Sequence, residues 1–286
     1  MSHTRHSRKW FWIAFISLLL LGGIVWATAE LSGQANALAQ DSGKNSAEME
    51  ELSLAILKKP SGPTPPPCDW QKEKTLRKQI EEKDKKYKEL VKTSPEPGAC
   101  GEDFKDQVIG LAEEYYKLQK QYAVMWEKCN CKSRAKLAHK LADSRKKSAQ
   151  VVVSEADSDK LNEMQTAQEE LSQARREYAQ EAKQSKSLSV EDRKKIQSSV
   201  IPKVSSTINQ FVAFSANVAA LLQEVKKTTE KATSGGVGGF LSAAKDMASG
   251  GGTKLLNTTK TLLAVSKSMV GNAKGLMQDA ETLSGE

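Results

Sequence analysis

The stretch FKDQVIGLAEEYYKLQKQYAVMWEKC, residues 104–129, places its large side chains at Phe104, Val108, Leu111, Tyr115, Leu118, Tyr122, Met125 and Cys129. The steps alternate between four and three, the spacing of a helical seam that packs on another helix. Upstream, residues 71–92 are strongly charged, yet Trp70, Leu76, Ile80, Tyr87 and Leu90 still form one narrow apolar stripe. Between the two lies Ser94-Pro95-Glu96-Pro97-Gly98, a turn by composition. Two amphipathic helices with so short a link make an antiparallel hairpin.

That hairpin narrows the pairing of the four cysteines. Residues equidistant from the turn face each other, and Cys68 and Cys129 are equidistant from a point inside it. Cys68 is therefore expected to bond Cys129 or Cys131. Cys100 lies a helix length of ~36 Å from Cys68, far beyond the ~7 Å between Cα atoms that a disulfide allows. It is expected to stay free or to bond another molecule. A zinc site would need Cys68 and Cys100 to join Cys129 and Cys131, or His139 to be recruited. Redox pairs are usually separated by two residues and sit on a sheet-containing fold. A structural disulfide with no metal and no cofactor is the expectation.

The helical pattern continues through residues 132–187, with an interruption expected at 151–159. Val151, Val152 and Val153 are β-branched, and Ser154, Asp157 and Ser158 suit an N-cap. Leu161, Met164, Leu171, Ala174 and Tyr178 then form a seam that Gln168 and Arg175 interrupt. Ser189 with Asp192 resembles a capping box, and Pro202 should kink or restart the helix that follows. Ile208, Phe211, Phe214, Val218, Leu221 and Val225 make the most apolar helix, the expected central packing element.

Glycines at 235–239 and 250–252 bracket a short amphipathic piece and read as hinges. The chain ends in a seven-residue repeat, LLNTTKT, LLAVSKS, MVGNAKG, LMQDAET. Large pairs recur at 255/256, 262/263, 269/270 and 276/277, small residues at Thr259, Ser266, Ala273 and Ala280, and lysines at 260, 267 and 274. A helix so rich in Thr, Ser, Asn and Gly needs a surface to fold against. Residues 203–231 are the simplest surface, since docking within one chain costs no association entropy.

At the other end, Arg5, Arg8 and Lys9 precede an uncharged run from Trp10 to Ala29. A cationic flank before an apolar stretch is an export signal. Ala27-Thr28-Ala29 is an A-x-A cleavage site, with Ala27 and Ala29 where signal peptidase needs small side chains. The run is also long enough to remain as a membrane anchor. Either outcome places residue 30 onward outside the cytoplasm, periplasmic or secreted, or anchored in the inner membrane with the N-terminus inside. Residues 30–67 are rich in Ser, Gly, Ala and Asn and end in a proline run. They read as a flexible spacer, with one short helix or docking patch at Leu52, Leu54, Ile56 and Leu57.

The domain plan is thus 1–29 signal or anchor, 30–67 spacer, 68–131 disulfide-closed hairpin, 132–233 long-helix bundle and 234–286 Gly-hinged heptad segment. The fold expected is all-α, an elongated antiparallel bundle or coiled coil.

Composition excludes much chemistry. There are three histidines, two of them His3 and His6, so sites that depend on imidazole are nearly ruled out. Glu113-Glu114, Glu169-Glu170, Asp157 and Asp159 fall in polar helices or a turn and read as solvated. Residues 235–239 lack the Gly-Lys-Ser/Thr ending of a phosphate loop. Tyr115, Tyr116, Tyr122 and Trp126 read as packing rather than as a sugar platform. Asn257-Thr258-Thr259 matches a glycosylation sequon, relevant only in a eukaryotic secretory route. The net charge is +8; without residues 1–29, which hold three cations and no acid, 40 cations against 35 acids leave +5. That modest charge, spread along the chain, together with export argues against nucleic acid. No small-molecule substrate is evident.

The expected function is therefore an exported, envelope-associated coiled-coil scaffold, of the kind that serves as a subunit of secretion or surface assemblies. It is not expected to be an enzyme. Its partners would be other envelope proteins or itself, with the membrane engaged through residues 10–29 if they are retained. The alternative is a membrane-active protein, pore-forming or membrane-surface-binding, that deploys residues 234–286.

Overall fold

The computed structural model describes residues 4–60, 68–94, 101–234 and 241–285, and among these the side chains of 26–60, 68–94, 101–230 and 251–285. The protein is an all-α helical bundle, with no strand among the described residues. Its helices are α1 (Thr4–Ile56), α2 (Trp70–Lys92), α3 (Glu102–Lys128), α4 (Lys132–Val153), α5 (Ser158–Gln184), α6 (Val190–Lys195), α7 (Ile201–Ser234) and α8 (Leu241–Ser284).

Local chemistry sets the ends of several of these. The Asp69 carboxylate accepts from Lys72 N at the start of α2, and Asp157 accepts from the amides of Asp159 and Lys160 at the start of α5. Ser189 Oγ accepts from Asp192 N and donates to Asp192 Oδ2, so the shorter acid bonds the cap hydroxyl and not the cap amide that a capping box would use. Pro202 has no amide hydrogen, and its ring crowds the carbonyl four residues back. The helix adapts through a π-turn at Ile196–Val200, where Ile201 N–H reaches Ile196 O. The chain is rewound there rather than broken.

The spacer expected at 30–67 is not one over most of its length. Residues 30–56 belong to α1, and Leu31, Ala35, Ala39, Met49, Leu52, Ile56 and Leu57 lie in the core. The residues that suggested a linker are small because this face meets α4 closely. A Cβ on Gly43 would lie 2.7 Å from Val152 Cγ2 and 2.9 Å from the Ser148 carbonyl. Ser42, Ser46 and Ser53 are fully buried on the same helix, each bonded within the protein. The proline-rich residues 61–67 lie outside the described residues.

The central packing element is also not α7. Its outer face is open, with Val212 51% exposed, and it packs chiefly on α8 and α1. α1 and α4 hold the centre instead, and α4 buries both its apolar residues and several polar ones. The cause is the small size of the α4 side chains, Ala138, Ala142, Ser144, Ser148 and Ala149, which lets neighbours approach from several sides.

α8 runs unbroken through 250–252, so those glycines do not interrupt it; residues 235–240 lie outside the described residues. From Thr259 onward its buried line is Thr259, Leu262, Ser266, Met269, Ala273, Leu276, Ala280 and Leu283, in steps of three and four. Small and large residues alternate along this seam, which packs on α7, α5 and α1. Ser266 Oγ meets Ser215 Oγ of α7 at 3.1 Å.

Candidate functional site

Two places gather side chains with chemical potential, and the first is the open end of the α2–α3 hairpin. Cys68 and Cys129 are disulfide-bonded, with Cα atoms 5.0 Å apart. Cys129 ends α3, and only Asn130 and Cys131 separate it from α4. Asn130 makes that reversal at φ 56°, in the left-handed region that Asn tolerates. Cys131 carries a buried free thiol whose Sγ lies 3.5 Å from the Cys129 carbonyl. Burial pushes this thiol above its ordinary pKa, with Arg134 pulling the other way. It is therefore mostly protonated and a weak nucleophile at neutral pH. Cys100 lies outside the described residues. His139 bonds Glu127 rather than a cysteine, and no group of three or more His, Cys, Asp or Glu residues is gathered for a metal among the described residues.

Aromatic rings stack behind the disulfide. Trp126 packs edge-on against Trp70 at 6.0 Å and Tyr122 at 5.5 Å. Arg134 lies over the rings of Trp126 and Tyr178. The C-terminal carbonyls of α1 are fed into this cluster. Arg77 Nη1 donates to Leu57 O at 2.7 Å, Arg134 Nε to Lys58 O at 2.9 Å, and Tyr178 OH to Ile56 O at 3.0 Å. Carbonyls at and just past the end of α1 are thus satisfied by two cations and one phenol, and the cations also favour the negative end of the dipole. The expected aromatic packing at Tyr115, Tyr122 and Trp126 is present, each fully buried. Tyr116 is half-buried beneath Lys120 and Lys146.

The second place lies deep between α1, α2, α3 and α4. The Arg145 guanidinium pairs with Glu50 of α1 and, at 2.5 Å, with Asp84 of α2. It is sandwiched between the rings of Tyr87 and Tyr115, with centroids at 4.5 and 4.4 Å. Ser144 and Ser148 donate to Glu50 at 2.6 and 3.1 Å, and Gln168 donates to Ser46 and Ser144. Burial raises the Glu50 pKa against the pull of Arg145. A related but smaller knot joins α5, α8 and α1. There Arg175 donates to Asp279 at 2.7 Å, to Asn272 O at 3.0 Å and to Ser53 at 3.3 Å.

These charges are occupied by one another, and their positions do the chemistry of registration rather than of reaction. A buried ion pair tolerates no slip of one helix past another, since a slip strands a charge; here Arg145 Nε and Nη2 are bonded and Nη1 has no hydrogen-bond partner among the described residues. Beside it, a surface groove of about 300 Å³ is lined by Lys44, Glu48, Glu51, Tyr87 and Lys88. Lys88 pairs there with Glu51 and Asp84. The carboxylate pairs read as solvated stay at the surface, where Glu114 meets Lys83 and Glu170 meets Lys140.

The sequence reading missed Glu50, Asp84 and Arg145, although the signal was present. Asp84 follows Ile80 by four and precedes Tyr87 by three, so a charge stands on the apolar stripe. Arg145 stands likewise between Leu141 and Ala149. The interruptions noted at Gln168 and Arg175 are the same signal. The cleavage pair Ala27 and Ala29 lies within α1, which does not break there. Residues 10–25 have no described side chains. Among the residues whose side chains are described, which begin at 26, no helix is long and apolar enough to cross a membrane.

No known protein family, curated protein or solved structure matches the chain.

Proposed function

We propose that the protein is an extracytoplasmic helical scaffold, held to the membrane by its first 29 residues and presenting a disulfide-closed bundle to partner proteins. The observation that carries this reading is α1. One helix runs from the cation-flanked apolar segment into the bundle core without a break at 27–29. Retained, the apolar segment would join the membrane to the bundle through one helix. A disulfide supports the oxidising side of the membrane. Buried charges spent on registration support a structural role without catalysis.

A membrane-active role for residues 234–286 would require α8 to leave the body and expose the line from Thr259 to Leu283. Liposome leakage by full-length but not by truncated protein would establish that role. The scaffold reading is tested by fractionation and intact mass. It expects residues 1–29 in the mature chain, and the chain in membranes after alkaline extraction. A soluble cytoplasmic chain with free cysteines would overturn it.

A further inference from the structure

We propose that the outer groove between α7 and α8 is a docking surface for an acidic amphipathic helix of a partner protein. The inference deepens the scaffold reading by naming the surface and the chemistry of what it binds.

The seven-residue repeat of α8 does more than pack the core. Its buried seam uses the small residues and the first large residue of each pair from Leu262 onward. The second large residue of each pair, Leu256, Leu263, Val270 and Met277, is only half-buried. These four recur every seven residues, about 10.5 Å along the axis. They follow Ser266 round the helix toward α7 and lead on to the exposed lysines 260, 267 and 274. Intramolecular docking explains the first row but leaves the second partly open.

α7 supplies the opposite wall. Thr207 bonds Glu48 of α1, and Ser215 meets Ser266 of α8. These two contacts fix which sides of α7 face α1 and α8. Val212, Ala216, Ala219 and Gln223, in steps of four and three, lie on the outer shoulder beside α8. Val212 is 51% exposed. Residues 204–223 contain no Asp, Glu, Lys or Arg, unlike the solvent faces of α2, α3 and α5. The groove is thus neutral and apolar on the α7 side, with a cationic rail on the α8 side.

The rail selects the occupant. Lys260, Lys267 and Lys274 are exposed, and none has an ion pair or hydrogen bond among the described residues. A second copy packed groove on groove would set the same three cations against each other. A bilayer fits poorly if the protein is anchored as proposed. α1 and α8 run parallel: Asn36 and Thr258 share one pocket, and Ser53 and Asp279 share Arg175. With α1 along the membrane normal the rail stands upright, and its ends are separated by about 21 Å. A helix with apolar residues on one face and carboxylates every seven residues matches both the row and the rail.

The test uses the full chain in nanodiscs of neutral lipid. The probe is a labelled four-heptad peptide with Leu and Ala on one face and Glu at seven-residue spacing, and fluorescence anisotropy is the readout. Binding should weaken with salt. It should fall by about tenfold or more in K260E/K267E/K274E and in V270E, with helix content unchanged. A charge-swapped peptide with Lys in place of Glu should bind the triple variant and not the wild type. Equal binding to wild type and triple variant, or no binding of the Glu peptide, would overturn the proposal. So would loss of peptide binding when phosphatidylglycerol is added to the disc, which would mark lipid as the occupant. Self-association in detergent micelles that V270E abolishes would mark a second copy and overturn it too. None of these outcomes bears on which side of the membrane the bundle lies, which is measured separately.

Discussion

Arg145 and Glu50 form an ion pair in which neither side chain reaches solvent. Asp84 and two tyrosine rings close the remaining sides. Such a pair adds little net stability compared with a packed apolar core, but breaking it is costly. Arg145→Met would leave Glu50 buried without a cation and Asp84 with Lys88 alone. The expected loss is about 3–5 kcal/mol of unfolding free energy by urea denaturation. Adding Glu50→Gln and Asp84→Asn should restore most of it. A single variant of wild-type stability would show that the pair does not register the helices.

The pH dependence of stability carries two opposed signs. Burial, and then the nearby Arg145 cation, lower Lys88 to about 8 despite its carboxylate partners, against 10.5 ordinarily. Between these values the unfolded chain binds more protons, so this group's contribution to stability rises with pH. Tyr87, Tyr115, Tyr122 and Tyr178 are all raised by burial. Above about pH 10 the unfolded chain loses phenolic protons that the native chain keeps, and stability falls. Urea midpoints should therefore rise modestly from pH 8 and then drop. Tyrosinate absorbance from these four should appear together with loss of helix. Ionisation of all four in a chain whose circular dichroism is intact would contradict their burial.

Close packing of α1 on α4 gives glycine substitutions opposite signs. Gly43→Ala gains helix propensity but drives a methyl into the Ser148 carbonyl and Val152. Gly110, on α3, has nothing within 4 Å of its Cβ position. Gly110→Ala should stabilise by about 0.5–1 kcal/mol, while Gly43→Ala should destabilise by about 1–3 kcal/mol. Ala273→Leu on the α8 seam belongs with the second class. Thermal melts of the three variants decide the matter.

The Cys68–Cys129 bond closes a loop with a sequence separation of 61. Cys129→Ser should cost about 4 kcal/mol in the chain-entropy account, and reductant should no longer affect the melt. Cys131→Ser should leave both stability and the reductant response unchanged. Non-reducing peptide mapping that recovers a Cys68–Cys131 peptide as the main species would contradict the observed pairing.

Helices were legible wherever large apolar residues recur at steps of three and four, as from Phe104 to Cys129 and along α8. The interruption after Val153 was legible through Asp157 and its neighbours. α1 was not, because close helix packing selects Ala, Ser and Gly, and those residues also compose linkers. Gly43 and Ser46 look flexible as letters and are buried as side chains. The ionic centre was hidden for a related reason. Glu50, Asp84 and Arg145 come from three helices, and no single helix states that its charge will meet the others. Only their place on apolar stripes marks them.

The proposed role requires that one continuous α1 join a membrane-retained N-terminus to a bundle outside the cytoplasm. The direct measurement is alkaline phosphatase fused after Glu286 and expressed in a Gram-negative host, assayed in membrane and soluble fractions. The account predicts an active phosphatase that stays with the membranes and is lost when residues 1–29 are deleted. An inactive fusion, or full activity unaffected by that deletion, would contradict it.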